Sequence, residues 1–271
     1  MEVWVKFFSE GFFGYAEKGN FKYYSLAHFI PIILLAPAIY LTYCYRDKLK
    51  NWKHEENLRF AFAFVMLLAE MSYFWRLLYV GSSNPEMTTL LDKLPLQVCE
   101  WTCICAIFMI TKKSELLYQV CFYVCLTVGI FPLLTPSVIS QTGPAYFRYY
   151  QFWLEHILPI VAVFYMTFVH GFRPKFKGIA LSTGFMMALG AMALICNFNI
   201  EGANYLYLAR GTTDGGGSIM DVLIKIAPNV WARLAFLTVV VLAMFFLAYG
   251  VYRGICKLSS KKSEHKTKIP V

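Results

Sequence analysis

Two residues in separate apolar segments of this chain are suited to covalent chemistry, a cysteine and a histidine. Cys99 closes the run LPLQVC at the start of one segment, and His156 closes the run FWLEH in the first half of another. A thiolate is the nucleophilic form of cysteine, so a thiol in apolar surroundings needs a base nearby. The pair predicts that Cys99 attacks a lipid acyl ester, holds the acyl group as a thioester and passes it to an acceptor hydroxyl, with His156 as the base.

Other polar side chains share the apolar segments with this pair. Ionisable groups are costly inside a bilayer, so each of them is a functional hypothesis. The residues expected to bind substrate or to support the site are His28, Glu70, Arg76, Gln97, Glu100 and Asn204. An acyl-transfer oxyanion needs positioned donors, and Arg76, Gln97, Asn204 or a backbone amide near LPLQVC could serve. Glu155 points about 100° away from His156 around a helix, so it is expected to face a different neighbour.

These residues also have structural alternatives. Lone histidines such as His28 and His156 often anchor helix ends. Arg76 and Glu100 could form a buried ion pair that only fixes packing, and a single buried cysteine is usually inert. The occurrence of a thiol, two imidazoles and several hydrogen-bonding groups at one depth favours chemistry instead. No histidine stands at zinc-ligand spacing from the cysteines, so neither a metal nor another cofactor is predicted.

The elements that must position these residues are long apolar segments. The chain is 58% hydrophobic and 15% charged, whereas a soluble domain carries about 25% charged residues. Its apolar residues gather into blocks near the length of about 20 residues that a membrane helix needs. The blocks are 24–44, 58–80, 94–110, 116–134, 147–169, 178–197 and 230–252, of which the third is the shortest. The sequence predicts an all-α, polytopic membrane helix bundle with about seven transmembrane helices.

Basic residues give this bundle a predicted orientation. They follow the first, third, fifth and seventh segments, which puts all four runs on one side. Because Lys and Arg accumulate in cytoplasmic loops, the N-terminus is expected outside and the C-terminus in the cytoplasm. Most of the polar residues then lie in the outer third of the membrane. The net charge of +9 is explained by topology and by attraction to anionic headgroups, and no nucleic-acid partner is expected.

Three regions follow from these patterns. Residues 1–23 are predicted to be an N-terminal interfacial segment, 24–253 a transmembrane helical domain and 254–271 a basic cytoplasmic tail. The expected location is a bacterial cell membrane or the endoplasmic reticulum membrane, depending on the source. In the sixth segment, small residues recur at every fourth position, which predicts close packing against a neighbouring helix. They are Ala180, Gly184 and Ala188.

Three ordered motifs resemble those of the YwaF-like integral membrane family. They are LPLQVC at 94–99, FWLEH at 152–156 and GANYLYL at 202–208, and SLAHF at 25–29 is similar to the family's first-segment histidine motif. The match runs from roughly His28 to Trp231. The animal branch of the family includes transmembrane protein 164, an acyltransferase that builds polyunsaturated ether phospholipids. The resemblance implies a nucleophile at Cys99 and a histidine partner at His156, while many members have histidine where Gln97 stands here.

The leading hypothesis is therefore an acyltransferase or transacylase that moves a fatty acyl chain between phospholipids. Its expected partners are membrane lipids, with a phospholipid as acyl donor and a lysophospholipid as acceptor. An alternative is a membrane carrier or receptor that binds a small ligand in the polar cluster, for which Glu70 is the best supporting residue because it sits deepest. Carriers usually place their site at the midplane within repeated halves, and no repeat is apparent. A third alternative is a scaffold whose polar residues are all structural.

Overall fold

A computed structural model describes residues 12–13, 21–83, 94–136, 143–200, 203–209 and 224–267, with backbone alone at 76–83, 207 and 259–267. The described ranges are helical and contain no strand, which confirms the predicted all-α class. The α-helices are α1 (Leu26–Cys44), α2 (Arg46–Lys50), α3 (Glu55–Ser83), α4 (Val98–Lys112), α5 (Glu115–Cys125), α6 (Phe131–Leu134), α7 (Phe147–Phe168), α8 (Phe176–Asn199) and α9 (Val230–Thr267). Short 3-10 turns occur at Val128–Ile130 and Tyr205–Tyr207.

Five of these helices are long and apolar enough to cross a membrane: α1, α3, α7, α8 and α9. A sixth candidate is the pair formed by α5 and residues 128–134, which bend by 52° against each other. The predicted third segment forms α4, whose 15 residues cover about 22 Å, less than the hydrocarbon core of about 30 Å. The described residues thus contain five or six candidate spans against the predicted seven. The orientation of the two termini stays a prediction.

Helix α7 is the centre of the bundle. It packs against α1, α3, α4 and α5, and 61% of its span is buried inside the protein, compared with 11% for α1 and 6% for α9. The outward faces of α1 and α9 carry large exposed apolar side chains such as Leu34 and Leu247. Exposed apolar surfaces on helices long enough to cross a membrane are suited to contact with lipid. The chain is therefore an integral multi-pass membrane protein.

Small residues on α8 pack on a different face from the predicted one. The predicted stripe is exposed along its length, at Ala180, Gly184 and Ala188. A Cβ added at Gly178 instead would lie 2.5 Å from Oε1 of Gln119 and 2.7 Å from a ring carbon of Tyr123, both on α5. The stripe prediction was wrong because spacing shows that a helix has a face of small residues, but neighbours decide which face turns inward.

Glu55, the first residue of α3, ties together the ends of three helices. Its carboxylate accepts hydrogen bonds from Arg59 Nε at 2.9 and 3.0 Å, from Tyr165 Oη at 2.9 Å and from His170 Nε2 at 2.7 Å. Arg59 also donates to the carbonyl of Ile110 at 2.8 Å, in the last turn of α4. We call Glu55, Arg59, Tyr165 and His170 the Glu55 cluster. It fastens α3, α4 and α7 at one end of the bundle.

The two terminal regions are described in part. Of the N-terminal segment 1–23, only 12–13 and 21–23 are described. The carbonyl of Phe12 accepts a hydrogen bond from the Phe147 amide at 2.7 Å, so this piece of the segment lies on the first turn of α7. The basic tail continues α9 as far as Thr267.

Candidate active site

Three reactive side chains converge between α4 and α7. The Sγ of Cys99, a carboxylate oxygen of Glu155 and a ring nitrogen of His156 all lie within 4.8 Å of one another. Cys99 is half-buried in the first turn of α4, whereas Glu155 and His156 are buried neighbours in α7. We call these three residues the Cys99 group. The structure thus brings together the two residues that were expected to act as a pair.

Glu155 joins this group against expectation. Adjacent helical residues diverge by about 100°, which suggested a separate neighbour for Glu155. Cys99 nevertheless lies within 4.8 Å of both residues, because a side chain of a second helix can sit between two diverging side chains and contact each. The expectation of a different neighbour for Glu155 was wrong.

The ring of His156 is held in one orientation by its own helix. Its Nδ1 lies 2.7 Å from the carbonyl oxygen of Phe152, and the rings of His156 and Phe152 are tilted by 32° with centroids 4.2 Å apart. A carbonyl oxygen can only accept, so Nδ1 carries the proton. In the neutral imidazole this leaves a lone pair on Nε2. His156 is therefore set up to accept a proton at Nε2.

A ladder of buried side chains on α7 holds the Glu155 carboxylate. Gln151 Nε2 donates to Glu155 Oε2 at 2.7 Å and to the Ala69 carbonyl of α3 at 3.1 Å. Arg148 Nη1 forms an ion pair with the same carboxylate oxygen at 3.5 Å and also donates to Gln151 Oε1. The guanidinium of Arg148 lies over the Tyr73 ring at 4.4 Å. Glu155 is therefore oriented by two donors on its own helix.

Glu70 lies on α3 and lacks hydrogen bonds of the kind that hold Glu155. Its side chain is 3% exposed, and neither carboxylate oxygen has a hydrogen-bond partner among the described residues. It lies close enough to Glu155, Glu100 and Arg148 to interact electrostatically with each. A buried carboxylate without hydrogen bonds is costly, so Glu70 is a feature that packing alone does not explain.

The first turn of α4 is joined to the turn that follows α8. Glu100 Oε2 accepts the backbone amide of Gln97 at 2.8 Å, and Gln97 Oε1 accepts the backbone amide of Leu206 at 3.2 Å. Leu206 has a positive φ of 56°, which costs energy for a residue with a side chain. Asn197 clamps Tyr205 of the same turn through two bonds, at 2.7 and 3.0 Å. Gln97 thereby links the LPLQVC motif to the GANYLYL motif.

The remaining predicted residues lie around this framework. Asn204 is half-buried immediately before the 3-10 turn. His28 is 1% exposed; its Nε2 donates to the Leu133 carbonyl at 2.8 Å, and its Nδ1 accepts the Tyr24 amide at 3.1 Å. Both nitrogens of His28 are thus used by backbone outside the Cys99 group, as in the structural alternative. The side chain of Arg76 lies outside the described part.

Sequence reasoning did not single out Gln151 and Arg233. Gln151 stands four residues before Glu155 and three after Arg148, a spacing that puts all three on one helix face, and this signal could have found it. Arg233 is 2% exposed and donates to the carbonyls of Leu208, Ala227 and Pro228. Two of these carbonyls lie five and six residues before Arg233 and the third lies 25 residues before it; backbone carbonyls carry no residue-type signal, so spacing did not reveal this role.

Comparison with known proteins gives one match. A family model described as the TMEM164 family matches residues 23–249 of the chain, which includes the Cys99 group and the turn after α8. No curated protein and no solved structure matches the chain.

Proposed function

The chain belongs to the TMEM164 family of membrane proteins, and from that premise we propose that it is a membrane-embedded acyltransferase. It moves a fatty acyl chain from a phospholipid donor to a lysophospholipid acceptor through a thioester on Cys99. The observation that carries the proposal is the approach of Cys99 and His156 to within 4.8 Å. Apo sites are often looser than the reacting complex, so this gap is compatible with proton transfer.

In the first step, the proton of Cys99 Sγ moves to His156 Nε2 as the sulfur attacks the ester carbonyl. A carbon–sulfur bond forms, the ester carbon–oxygen bond breaks, and the leaving alkoxide takes the proton from the imidazolium. In the second step, an acceptor hydroxyl gives its proton to His156 and attacks the thioester. The carbon–sulfur bond then breaks, and the sulfur recovers the proton. A second phospholipid leaves, and the chain returns to its starting state.

Two electrostatic features support this sequence of steps. Cys99 is the second residue of α4, and the first amides of a helix have no intrahelical acceptor, so they stabilise an oxyanion and a sulfur anion. The nearby Glu155 carboxylate stabilises the imidazolium form of His156 but repels a Cys99 thiolate that forms before the attack. This combination favours transfer of the proton during the attack rather than before it.

The test is to trap the acyl-enzyme. Purified protein in lipid nanodiscs is incubated with a phospholipid that carries an alkyne-tagged acyl chain, and the acid-quenched protein is analysed by peptide mass spectrometry. We expect the acyl group on Cys99 and its release by neutral hydroxylamine, which cleaves thioesters. Cys99→Ala should lose the adduct and the transfer, whereas Cys196→Ser, which alters another half-buried cysteine, should keep both. Transfer at the wild-type rate by Cys99→Ala would rule the proposal out.

A carrier or receptor is the second candidate, and Glu70 is the observation that favours it. A buried carboxylate without a described hydrogen-bond partner is suited to a cationic or proton-coupled ligand. Uptake or ligand binding that depends on Glu70 and tolerates Cys99→Ala would favour this function over acyl transfer.

A further inference from the structure

The Cys99 group is also a set of metal ligands. We propose that Cys99, Glu155 and His156 bind one Zn²⁺ ion, and that the bound ion reversibly blocks acyl transfer. The binding does not depend on the proposed function, whereas the block rests on it.

The geometry of the three donor atoms is close to that of a zinc site. Zinc binds sulfur at about 2.3 Å and nitrogen or oxygen at about 2.0–2.2 Å in a tetrahedron, which puts donor atoms about 3.3–3.6 Å apart. The three donors lie within 4.8 Å of one another. Side-chain rotations that move each donor by about 1 Å therefore suffice to close the site.

Contacts behind the donors match those of metal ligands. A metal-binding histidine almost always donates its other ring N–H to a carbonyl or carboxylate, and ligating carboxylates are themselves hydrogen-bonded. His156 Nδ1 donates to the Phe152 carbonyl at 2.7 Å, which leaves Nε2 for the metal. Glu155 accepts from Gln151 at 2.7 Å and pairs with Arg148 at 3.5 Å. Both ligands are thus oriented before any ion arrives.

Charge and donor type select the ion. A thiolate and a carboxylate together neutralise a divalent cation, and Glu100 lies close enough to Cys99 to interact with it electrostatically. Thiolate and imidazole favour Zn²⁺ over Mg²⁺ and Ca²⁺, which prefer oxygen ligands. Three protein ligands leave the fourth position open, as in zinc sites that admit water or substrate.

Sequence spacing could not reveal this site, because two of its ligands are adjacent in α7 and the third lies on α4. Binding replaces the thiol proton of Cys99 by Zn²⁺ and releases that proton. The sulfur lone pair that would attack an ester then bonds to the metal. Removal of the ion by a chelator returns the thiol and the activity.

Metal binding is measured without reference to activity. Metal-free protein in nanodiscs is titrated with Co²⁺, which gives a sulfur-to-metal charge-transfer band in the near ultraviolet when a thiolate binds, and Zn²⁺ is then added as competitor. We expect one equivalent of Co²⁺ and its displacement by Zn²⁺. Cys99→Ser should remove the band, and Gln151→Leu should weaken binding by about tenfold or more. Cys196→Ser is the matched control and should bind as the wild type does.

Acyl trapping on Cys99, with and without one equivalent of Zn²⁺, separates the two proposals. Loss of the adduct with Zn²⁺ and its return with a chelator support the inference. Absence of Co²⁺ binding, a band that survives Cys99→Ser, or an adduct that forms equally well with Zn²⁺ overturns it. Metal binding by a protein that never forms an adduct would sink the acyltransferase proposal and leave the metal site standing.

Discussion

Polar side chains inside this bundle differ in how completely their hydrogen bonds are satisfied. Both ring nitrogens of His28 bond to backbone, and the buried Arg233 has three carbonyl partners. Fully bonded groups of this kind hold segments together. Glu70 has no described hydrogen-bond partner, while the reactive atoms of the Cys99 group lie within 4.8 Å of one another. The extent to which a buried polar side chain is hydrogen-bonded therefore separates structural from functional candidates better than its residue type does.

The two glutamates should therefore respond oppositely to an apolar replacement of similar size. Glu70→Leu removes a buried carboxyl group without a described hydrogen-bond partner and should stabilise the protein by about 1–3 kcal/mol. Glu155→Leu removes the ion-pair partner of Arg148 and one of the two acceptors of Gln151, and should destabilise the protein by about 3–5 kcal/mol. Unfolding midpoints in mixed micelles measure both effects. Equal losses in the two variants would show that Glu70 has a structural partner.

The sequence predicted part of the site, because it encodes the position of a residue along a helix better than the direction in which its side chain faces. Position along an apolar segment indicates depth, and depth was enough to select Cys99 and His156. Rotation about the helix axis depends on the neighbouring helices, so the sequence did not indicate that Glu155 also faces Cys99. The bond between Gln97 and Leu206 spans 109 residues and could not be read from spacing either.

At the scale of elements, hydropathy located the apolar segments but missed a break. Residues 116–134 were expected to form one continuous helix, whereas α5 ends at Cys125 and the chain bends before α6. Thr127 is non-helical at the bend, with φ −126° and ψ −85°, and its hydroxyl bonds to the Tyr123 carbonyl at 2.6 Å. Gly129 and Pro132 follow within a few residues, and both residue types weaken a continuous helix. The sequence thus contains residues that indicate the break, but the high average hydropathy of residues 116–134 concealed it.

Two glycines of α8 test which face of this helix is packed. Gly178→Ala places a methyl group against Gln119 and Tyr123. Gln119 cannot yield freely, because its amide bonds to backbone groups of Arg173 and Lys175. We expect a loss of about 1–3 kcal/mol in the free energy of unfolding.

The control is Gly184→Ala, because a Cβ there meets nothing within 4 Å. Alanine is the better helix former, so this variant should be neutral or more stable by up to about 1 kcal/mol. Thermal unfolding in detergent measures both variants. A larger loss of stability in Gly184→Ala than in Gly178→Ala would show that the predicted face of α8 is the packed one.

At the scale of the whole molecule, the bundle is fastened at two levels. The Cys99 group and its ladder join α3, α4 and α7 at one level, and the Glu55 cluster joins the same helices about 16 Å further along α4. The second level contains an imidazole outside the spanning helices. Burial lowers the pKa of His170, and Lys113 and Arg59 act in the same direction against the opposing effect of Glu55.

Acid should therefore weaken the fold through His170. The folded state disfavours the imidazolium form of His170. The contribution of neutral His170 to the free energy of unfolding is therefore complete above the unfolded pKa of about 6.5, and it is lost as the pH falls through the lower folded pKa. We expect the melting temperature of the wild type to fall more between pH 7.5 and pH 5.5 than that of His170→Asn. His54→Asn, at an exposed histidine, should respond as the wild type does. Identical curves for wild type and His170→Asn would contradict this assignment.

The central position of α7 has a consequence for biosynthesis. A ribosome completes α7 only after α1, α3, α4 and α5, although all four pack against it. Until residue 147 and its successors emerge, Glu70 lies without the Arg148 guanidinium that interacts with it in the folded protein. The nascent chain therefore passes through an interval in which these four helices lack the helix against which they all pack.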